Sequence, residues 1–160
     1  MSISSLLATD RIFTEAEISS KKRLLEYIAE KAAAELDLPQ TIIFNQLLER
    51  ERLGSTGLGK GFAVPHARLE DLEQTLTFFL KLDEPVKYDA IDQLPVDLIF
   101  VVFIPHASTE EHLRILASLA KLFSQDKVCR KVRKARSAEQ ILNIIQEAES
   151  SLAADSGGSA

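Results

Sequence analysis

The segment from Val96 to Ile104 constrains the fold more than any other part of this sequence, because it is almost continuously apolar and rich in β-branched residues. Such a run favours a strand buried on both faces, since a strand with one exposed face alternates apolar and polar residues. Covering both faces of a sheet requires helices on each side. We therefore predict the α/β class, with a mixed sheet of about five strands flanked by helices on both faces.

Helical patterns before this strand can supply some of the covering helices. Ser19 or Ser20 is placed to cap a first helix that ends near Asp37, because a serine side chain accepts from the free N–H groups of a first turn. A second helix is predicted from Pro39, a residue tolerated in the first turn, to Gly54, which stops it.

Helical patterns after the central strand can supply the rest of the covering helices. Ser108 and Glu111 form a capping-box pattern that opens the first helix. The residues predicted to face the core from it are Leu113, Leu116, Ala120 and Phe123. A short basic helix follows from about Asp126, and a last helix runs from Ser137 to about Glu149.

The composition fits one soluble domain and excludes several other classes of protein. The chain has 160 residues, 46% of them hydrophobic, and 19 basic against 24 acidic side chains, which gives a net charge of −5. A missing basic excess argues against nucleic-acid binding, and no apolar run approaches the ~20 residues that span a bilayer. We predict one domain over residues 1–149 and a disordered tail over 150–160, which is rich in serine, alanine and glycine.

The sequence also favours a cytoplasmic location. Its one cysteine, Cys129, cannot form an internal disulfide, which fits a reducing compartment. The N-terminus has no basic region ahead of its short apolar patch, so it lacks the pattern of a signal peptide. We therefore expect a cytoplasmic protein without membrane insertion.

A glycine-rich segment, Gly54–Gly61, is predicted to be a loop by its composition. Its spacing from Gly54 to Lys60 is close to that of a phosphate-binding P-loop. That loop needs a serine or threonine after the lysine, a preceding strand and a following helix, whereas here a glycine follows and a helix precedes. We therefore do not expect nucleotide binding.

Two histidines lie where the backbone favours a phosphate. His66 follows Pro65 beside the glycine-rich segment, where backbone N–H groups can converge on an anion. His112 lies in the first turn of a predicted helix, whose free N–H groups and partial positive charge also attract phosphate. From the residues alone, ordinary surface or capping roles stay open for both.

Other chemistries have less support. His106 and His112 are six residues apart and no cysteine or carboxylate stands at a zinc-ligand spacing, so no metal is expected. A hydrolase triad of Ser55, His66 and an aspartate lacks the nucleophile-elbow pattern. The stretch from Lys121 to Arg136 carries seven lysines or arginines and one aspartate. A solvated helix face and a docking patch for an acidic partner are both open for it.

Resemblance to a known family begins at Glu49–His66, which reads ERERLGSTGLGKGFAVPH. This segment resembles the active-site segment of the IIA domains of the mannitol and fructose class in the bacterial phosphoenolpyruvate-dependent phosphotransferase system. The resemblance continues through Tyr88–Asp97, Glu111–Leu113 and Val128–Arg133, which are most similar to the nitrogen-regulatory members. It covers roughly residues 5–149, and a match this long is more specific than any single motif.

The resemblance implies which residues do the chemistry. The family's phosphorylated histidine matches His66, with the phosphate on Nε2 and Nδ1 held by a backbone carbonyl. A second active-site histidine matches His112, and an upstream arginine matches Arg50. The hydroxyl pair of the family's loop matches Ser55 and Thr56, which are expected to contact the phosphate. No cofactor or metal is implied, because the phosphoryl group arrives on a histidine.

The sequence departs from the family pattern at two positions. Ala67 stands where many members have glycine, and the change asks only for an ordinary φ there. His106 stands where other members commonly have another residue, and no role is assigned to it.

The resemblance implies a regulatory phosphoryl carrier, a transferase component that carries phosphate and is no free-standing catalyst. Such a carrier accepts phosphate from a phosphohistidine carrier protein of the HPr type, and its phosphorylation state controls targets such as kinases or ion-transport regulators. One alternative is a sugar-transport IIA component that passes phosphate to a mannitol- or fructose-type IIB permease domain. Another is a binding module without chemistry. A lone domain with no permease segment or IIB pattern favours regulation over transport.

Overall fold

The computed structural model describes residues 2–158, which form six strands and five α-helices. The strands are β1 (Ile12–Ala16), β2 (Gly57–Gly59), β3 (Phe62–Ala63), β4 (His66–Leu69), β5 (Leu76–Val86) and β6 (Val96–Pro105). The helices are α1 (Lys21–Leu36), α2 (Gln40–Leu53), α3 (Thr109–Phe123), α4 (Asp126–Lys134) and α5 (Ala138–Gly158). The predicted α/β class is confirmed.

The strands form one mixed sheet with β6 at its centre. On one side β5 pairs antiparallel with β6, and β1 is parallel to β5. On the other side β3 and β4 both pair parallel with β6, and β2 is antiparallel to β3. The sheet has six strands rather than the predicted number of about five. The glycine-rich segment, which was predicted to be a loop, contains the short strand β2 and leads directly into β3.

Both faces of β6 are buried, which confirms the interpretation of its apolar run. Ile99, Val101 and Phe103 pack in one core with residues of α1 and α2. Leu98 and Phe100 pack in a second core with residues of α3, α4 and α5. Alternate residues of one strand thus serve two cores, because successive side chains of a strand point to opposite faces.

Serines precede three of the helices, and two of them, Ser20 and Ser137, cap through their side chains. The Ser20 hydroxyl accepts from the Arg23 N–H at 3.2 Å, as predicted. Ser108 precedes α3 without a side-chain cap hydrogen bond, so the predicted capping box is wrong. Its ψ of 70° departs from the extended backbone of a usual N-cap. The Glu111 carboxylate accepts instead from the Thr75 hydroxyl at 3.4 Å.

Helix α3 buries a face that only partly matches the predicted one. Its fully buried residues are Ile115, Leu119, Leu122 and Phe123, of which only the last was predicted, and the predicted Leu116 is half-buried and packs against the same core. Leu113 is 64% exposed. Because apolar residues occur on more than one side of this helix, periodicity alone selected the wrong stripe.

Helix α5 is longer than predicted, since it continues to Gly158 beyond Glu149. The Glu149 carboxylate accepts from the backbone N–H groups of Ile3 and Ser4 at 2.6 and 2.8 Å. The tail predicted over 150–160 begins inside this helix, and residues 159 and 160 lie outside the described residues. Among the described residues, no helix is both long and apolar enough to cross a membrane.

Candidate active site

The glycine-rich segment is a short hairpin rather than an open loop. Strands β2 and β3 are joined by a turn at Lys60 and Gly61, whose φ angles are 60° and 79°. Glycine adopts such positive values easily, whereas a lysine rarely does. A strand follows instead of a helix, so the segment is not a P-loop. Ala67, which directly follows His66, has no positive φ, as expected.

His66 begins β4, and 7% of the residue is exposed. Its Nδ1 lies 2.8 Å from the Val64 carbonyl oxygen. Because a carbonyl can only accept, Nδ1 carries the ring proton. Nε2 is therefore unprotonated, and it accepts from Nε–H of Arg50 at 3.1 Å. These two contacts hold the ring with the Nε2 lone pair on the side from which Arg50 approaches.

Burial is the largest influence on the pKa of His66 and lowers it below 6.5. The hydrogen bond to Val64 raises this pKa, the charge of Arg50 lowers it, and the charge of Glu51 raises it. The net direction is downward, so the neutral imidazole dominates at neutral pH. The neutral ring is the form that has a nucleophilic lone pair.

His112 meets the His66 ring edge to face, with the ring centroids 5.1 Å apart. Its Nδ1 is buried and has no hydrogen-bond partner among the described residues. Burial, followed by the nearby His66, Arg68 and Arg50, lowers the pKa of His112 to about 4. His112 is therefore neutral at neutral pH and can offer a ring N–H without adding a charge.

Arg50, His66 and His112 line one cleft of about 460 Å³. The other lining residues are Gln46, Glu49, Leu53, Ala67, Arg68, Glu70 and His106. Sequence reasoning missed Arg68, although strand alternation places it on the same side of β4 as His66. His106, for which the sequence assigned no role, also lies at this cleft.

Ser55 and Thr56 do not line the cleft. The Ser55 hydroxyl donates to the Tyr88 carbonyl at 3.0 Å. The Thr56 hydroxyl donates to the Glu51 carboxylate and lies 2.9 Å from the Tyr88 hydroxyl. Contact of either hydroxyl with phosphate stays a prediction, and it requires the hydroxyl to leave these partners. Sequence reasoning gave no role to Glu51 or Tyr88, because buried polar side chains have no signature of their own in a single sequence.

The cleft residues come from two layers of the fold. Arg50 lies in the last turn of α2, which packs on one face of the sheet. His112 lies in the first turn of α3, which packs on the other face. His66 is on β4, whose one partner among the described strands is β6. At this sheet edge, helices from opposite faces reach the same ring.

The turn of the hairpin is held by α4, which belongs to the basic stretch. Arg133 donates to both carboxylate oxygens of Asp97 at 2.9 Å and to the Lys60 carbonyl at 2.7 Å. Nζ of Lys60 lies 3.1 Å from the Asp126 carboxylate. A Cβ on Gly61 would lie 2.3 Å from Nη2 of Arg133. Part of the basic stretch therefore fixes the glycine-rich segment, and docking of an acidic partner on the rest stays a prediction.

A metal centre finds no support in the described part of the chain. Within residues 2–158, no group of three or more histidine, cysteine, aspartate or glutamate side chains is placed to hold a metal ion. The chemistry available at the cleft is that of a neutral imidazole beside an arginine and a second neutral imidazole.

Comparisons with known proteins extend over nearly the whole chain. The family described as "Phosphoenolpyruvate-dependent sugar phosphotransferase system, EIIA 2" matches residues 5–148. A nitrogen regulatory protein from Escherichia coli is 40% identical over 150 residues, which are 93% of this chain and 92% of that protein. The crystal structure of nitrogen regulatory protein IIA-Ntr from Neisseria meningitidis has a TM-score of 0.86 at 39% identity, over 89% of this chain and 98% of that one. The complex of enzyme IIAMtl and phosphorylated enzyme IIBMtl from Escherichia coli shares the fold, with a TM-score of 0.75 at 19% identity over 88% of this chain and 97% of that one.

Proposed function

Because the chain belongs to the EIIA 2 family of the phosphoenolpyruvate-dependent sugar phosphotransferase system, we propose that it is a phosphoryl carrier that accepts phosphate on Nε2 of His66. One observation carries the proposal. The Val64 carbonyl fixes the proton on Nδ1, which leaves the Nε2 lone pair beside the arginine fork of Arg50. A nucleophile and a cation suited to phosphate thus meet in an open cleft.

The proposed step is an in-line transfer between two histidines. The Nε2 lone pair of His66 attacks the phosphorus of a phosphohistidine on a donor carrier protein of the HPr type. The bond from phosphorus to the donor nitrogen breaks, and its electron pair stays on that nitrogen. Nδ1 of His66 keeps its proton, and the Val64 carbonyl stabilises the positive charge that the ring gains. The step needs no cofactor, because the phosphoryl group arrives on a histidine.

Arg50 and His112 hold the phosphate oxygens in this proposal without receiving the phosphate. Nε–H of Arg50 leaves Nε2 as the new bond forms, and its planar fork then donates to phosphate oxygens. His112 offers a ring N–H from the other layer. Phosphoryl transfer has a loose transition state, so donors that position the group supply much of the rate. Phosphate contact by Ser55 or Thr56 is the part of the site that rests on the resemblance alone.

The phosphate then serves as a regulatory signal. Support comes from the nitrogen regulatory relatives, one of which is 40% identical over nearly the whole of both chains. Phosphorylation adds a charge of about −1.5 to −2 at the cleft, which changes the partners that can dock there. The expected targets are kinases or ion-transport regulators. The alternative is transfer to a IIB domain, since a IIA protein of the same fold forms a complex with phosphorylated enzyme IIBMtl.

Intact mass after incubation with phosphoenolpyruvate and the upstream phosphotransfer proteins tests the carrier role. We expect the parent to gain one phosphate that is lost in acid and kept in base, and His66→Ala to gain none. His106→Ala is the matched control, because it removes another histidine of the cleft and is expected to gain one phosphate. Full phosphorylation of His66→Ala would refute the proposal.

Capture of partners from cell extract separates regulation from transport. We expect a regulatory target to distinguish the phosphorylated and unmodified proteins by tenfold or more, which is about 1.4 kcal/mol. Equal binding of every partner to both forms, together with rapid loss of phosphate to a IIB component, would favour transport.

A further inference from the structure

We propose that Glu51 is the positioning residue for His66. Its buried carboxylate orders the glycine-rich segment, and through it the Val64 carbonyl that keeps the proton of His66 on Nδ1. The inference rests on the proposed function, in which Nε2 receives the phosphate.

Glu51 is a buried carboxylate with a dedicated cation. It follows Arg50 in α2 and is 9% exposed. An ionised side chain is costly to bury unless it is paired and hydrogen-bonded. Nζ of Lys21, the first residue of α1, lies 2.9 Å from Oε1 of Glu51. Two helices thus cooperate to keep one negative charge beneath the glycine-rich segment.

The Glu51 carboxylate binds Thr56 twice. The backbone N–H of Thr56 donates to Oε1 at 3.1 Å, and the Thr56 hydroxyl donates to Oε2 at 2.5 Å. Tyr88, which is fully buried, brings its hydroxyl to 2.9 Å from the same Thr56 hydroxyl. Since one carboxylate holds both the backbone N–H and the side chain of Thr56, the position of this residue is fixed.

Two hydrogen bonds, both made by Val64, connect the backbone of Thr56 to the nucleophile. The Thr56 carbonyl accepts from the Val64 N–H at 3.0 Å, and the Val64 carbonyl accepts from Nδ1–H of His66 at 2.8 Å. The path from Glu51 to the ring therefore alternates hydrogen bonds with the backbone of Thr56 and of Val64. Arg50, the neighbour of Glu51 in sequence, contacts the other ring nitrogen. Adjacent residues of α2 thus act on both sides of His66.

Loss of this chain of contacts changes the ring in a specific way. When the Val64 carbonyl is displaced, the proton of His66 distributes over both nitrogens, and a ring with its proton on Nε2 has no lone pair there. The amide oxygen of Glu51→Gln can replace only one of the two carboxylate oxygens, so its NH₂ faces either the Thr56 hydroxyl or the Thr56 N–H together with the lysine ammonium. We expect a smaller fraction of Nδ1–H tautomer and a phosphorylation rate lower by about tenfold or more.

Two measurements test the proposal. The ¹⁵N chemical shifts of the His66 ring report the tautomer without any donor protein, and intact mass against time gives the rate of phosphoryl gain. Thr56→Val removes the hydroxyl at nearly constant volume, whereas Thr56→Ser keeps it. We expect the valine variant to lose Nδ1–H tautomer as Glu51→Gln does, and the serine variant to keep the parent's tautomer. Glu26→Gln, which removes a partly exposed carboxylate of α1, is the charge-matched control.

The outcomes are decisive in each case. Folded Glu51→Gln and Thr56→Val proteins with the parent's tautomer and rate would overturn the proposal. Should Glu51→Gln not fold, the valine and serine variants at Thr56 decide by themselves. A parent chain that is never phosphorylated refutes the proposed function, and the tautomer of the variants still judges Glu51 separately.

Discussion

The two ends of the glycine-rich segment are held by different kinds of contact. At the site end, residues 54–56, Arg50 donates to the Gly54 carbonyl at 2.8 Å and the buried Glu51 holds Thr56. At the turn end, residues 59–61, the partners include the partly exposed side chain of Arg133 and the exposed carboxylates of Asp92 and Asp126. Exposed ion pairs contribute about 0–1 kcal/mol, whereas a broken buried pair costs several. We infer that chemistry depends on the site end and that the turn end serves the stability of the fold.

The largest effect is expected in the cleft beside the site end, on the rate of phosphorylation. Arg50→Ala and His112→Ala should each slow phosphoryl gain by ~10²–10³-fold, because each removes a preorganised donor to the transferring group. Arg50→Lys should recover little of the rate, since a lysine cannot reproduce the planar fork. Intact mass against time measures the rate, with urea unfolding as the control for stability. A His112→Ala protein as fast as the parent would make His112 a bystander.

The next effect is expected at the turn end, on stability. Gly61→Ala places a Cβ 2.3 Å from Nη2 of Arg133 and 2.9 Å from a carboxylate oxygen of Asp97, at a φ of 79°. We expect the free energy of unfolding to fall by about 1–3 kcal/mol, from strain and displacement of that pair. The folded variant should keep the parent's phosphorylation rate. A large loss of rate without loss of stability would break the division between the two ends.

Acid should lower the free energy of unfolding through the two histidines of the cleft, by less than Gly61→Ala does. The pKa values of His66 and His112 are lower in the folded protein than the ordinary 6.5, and that of His112 falls to about 4. Below pH 6.5 the unfolded chain therefore binds more protons, so stability falls as the pH drops towards about 4. For His112 we expect about 1 kcal/mol or less, because the residue is partly open to solvent.

Urea unfolding at a series of pH values measures this loss. In His112→Ala the decline between about pH 7 and pH 5 should be shallower than in the parent. A parallel decline in both proteins would show that His112 is not the titrating group. The phosphorylation rate should fall where His66 itself takes up a proton, which occurs below the ordinary 6.5 because burial lowers its pKa, since a protonated His66 has no free lone pair.

The smallest effect is expected from the exposed pair at the turn end. Asp126→Asn removes the charge that lies 3.1 Å from Nζ of Lys60, and the aspartate side chain is 73% exposed. We expect stability to change by about 0.5 kcal/mol or less and the rate to stay the same. A loss of several kcal/mol would mean that the turn end depends on this pair after all.

The features that sequence predicted well have local causes. The apolar run over 96–104 made β6 a two-faced central strand, and Ser20 caps α1 through its own side chain. The cleft residues Arg50, His66 and His112 followed from the resemblance, and the structure brings them together. That grouping could not be derived from spacing, because it requires two helical layers to meet at one strand.

The features that sequence missed depend on tertiary contacts. The buried stripe of α3 is set by the core it meets, so Leu113 is exposed despite its apolar side chain. The hydroxyl of Thr56 was assigned to phosphate, yet it bonds to a carboxylate five positions earlier in the chain. Glu51 looks in sequence like any charged residue at the end of a helix, and its burial is determined by Lys21 and Tyr88 from elsewhere in the fold.

Because two helical layers must meet at the edge strand to complete the cleft, the proposed phosphate acceptance depends on a completely folded chain. Arg50 arrives with one layer and His112 with the other, while His66 lies on the strand between them. A chain in which one layer has not yet docked has its nucleophile but lacks one of the two side chains that hold the phosphate oxygens. It therefore offers the incoming carrier protein an incomplete site. In the proposed mechanism the donor protein would transfer phosphate faster to molecules in which both layers have docked, so phosphorylation would favour protein that has completed its folding.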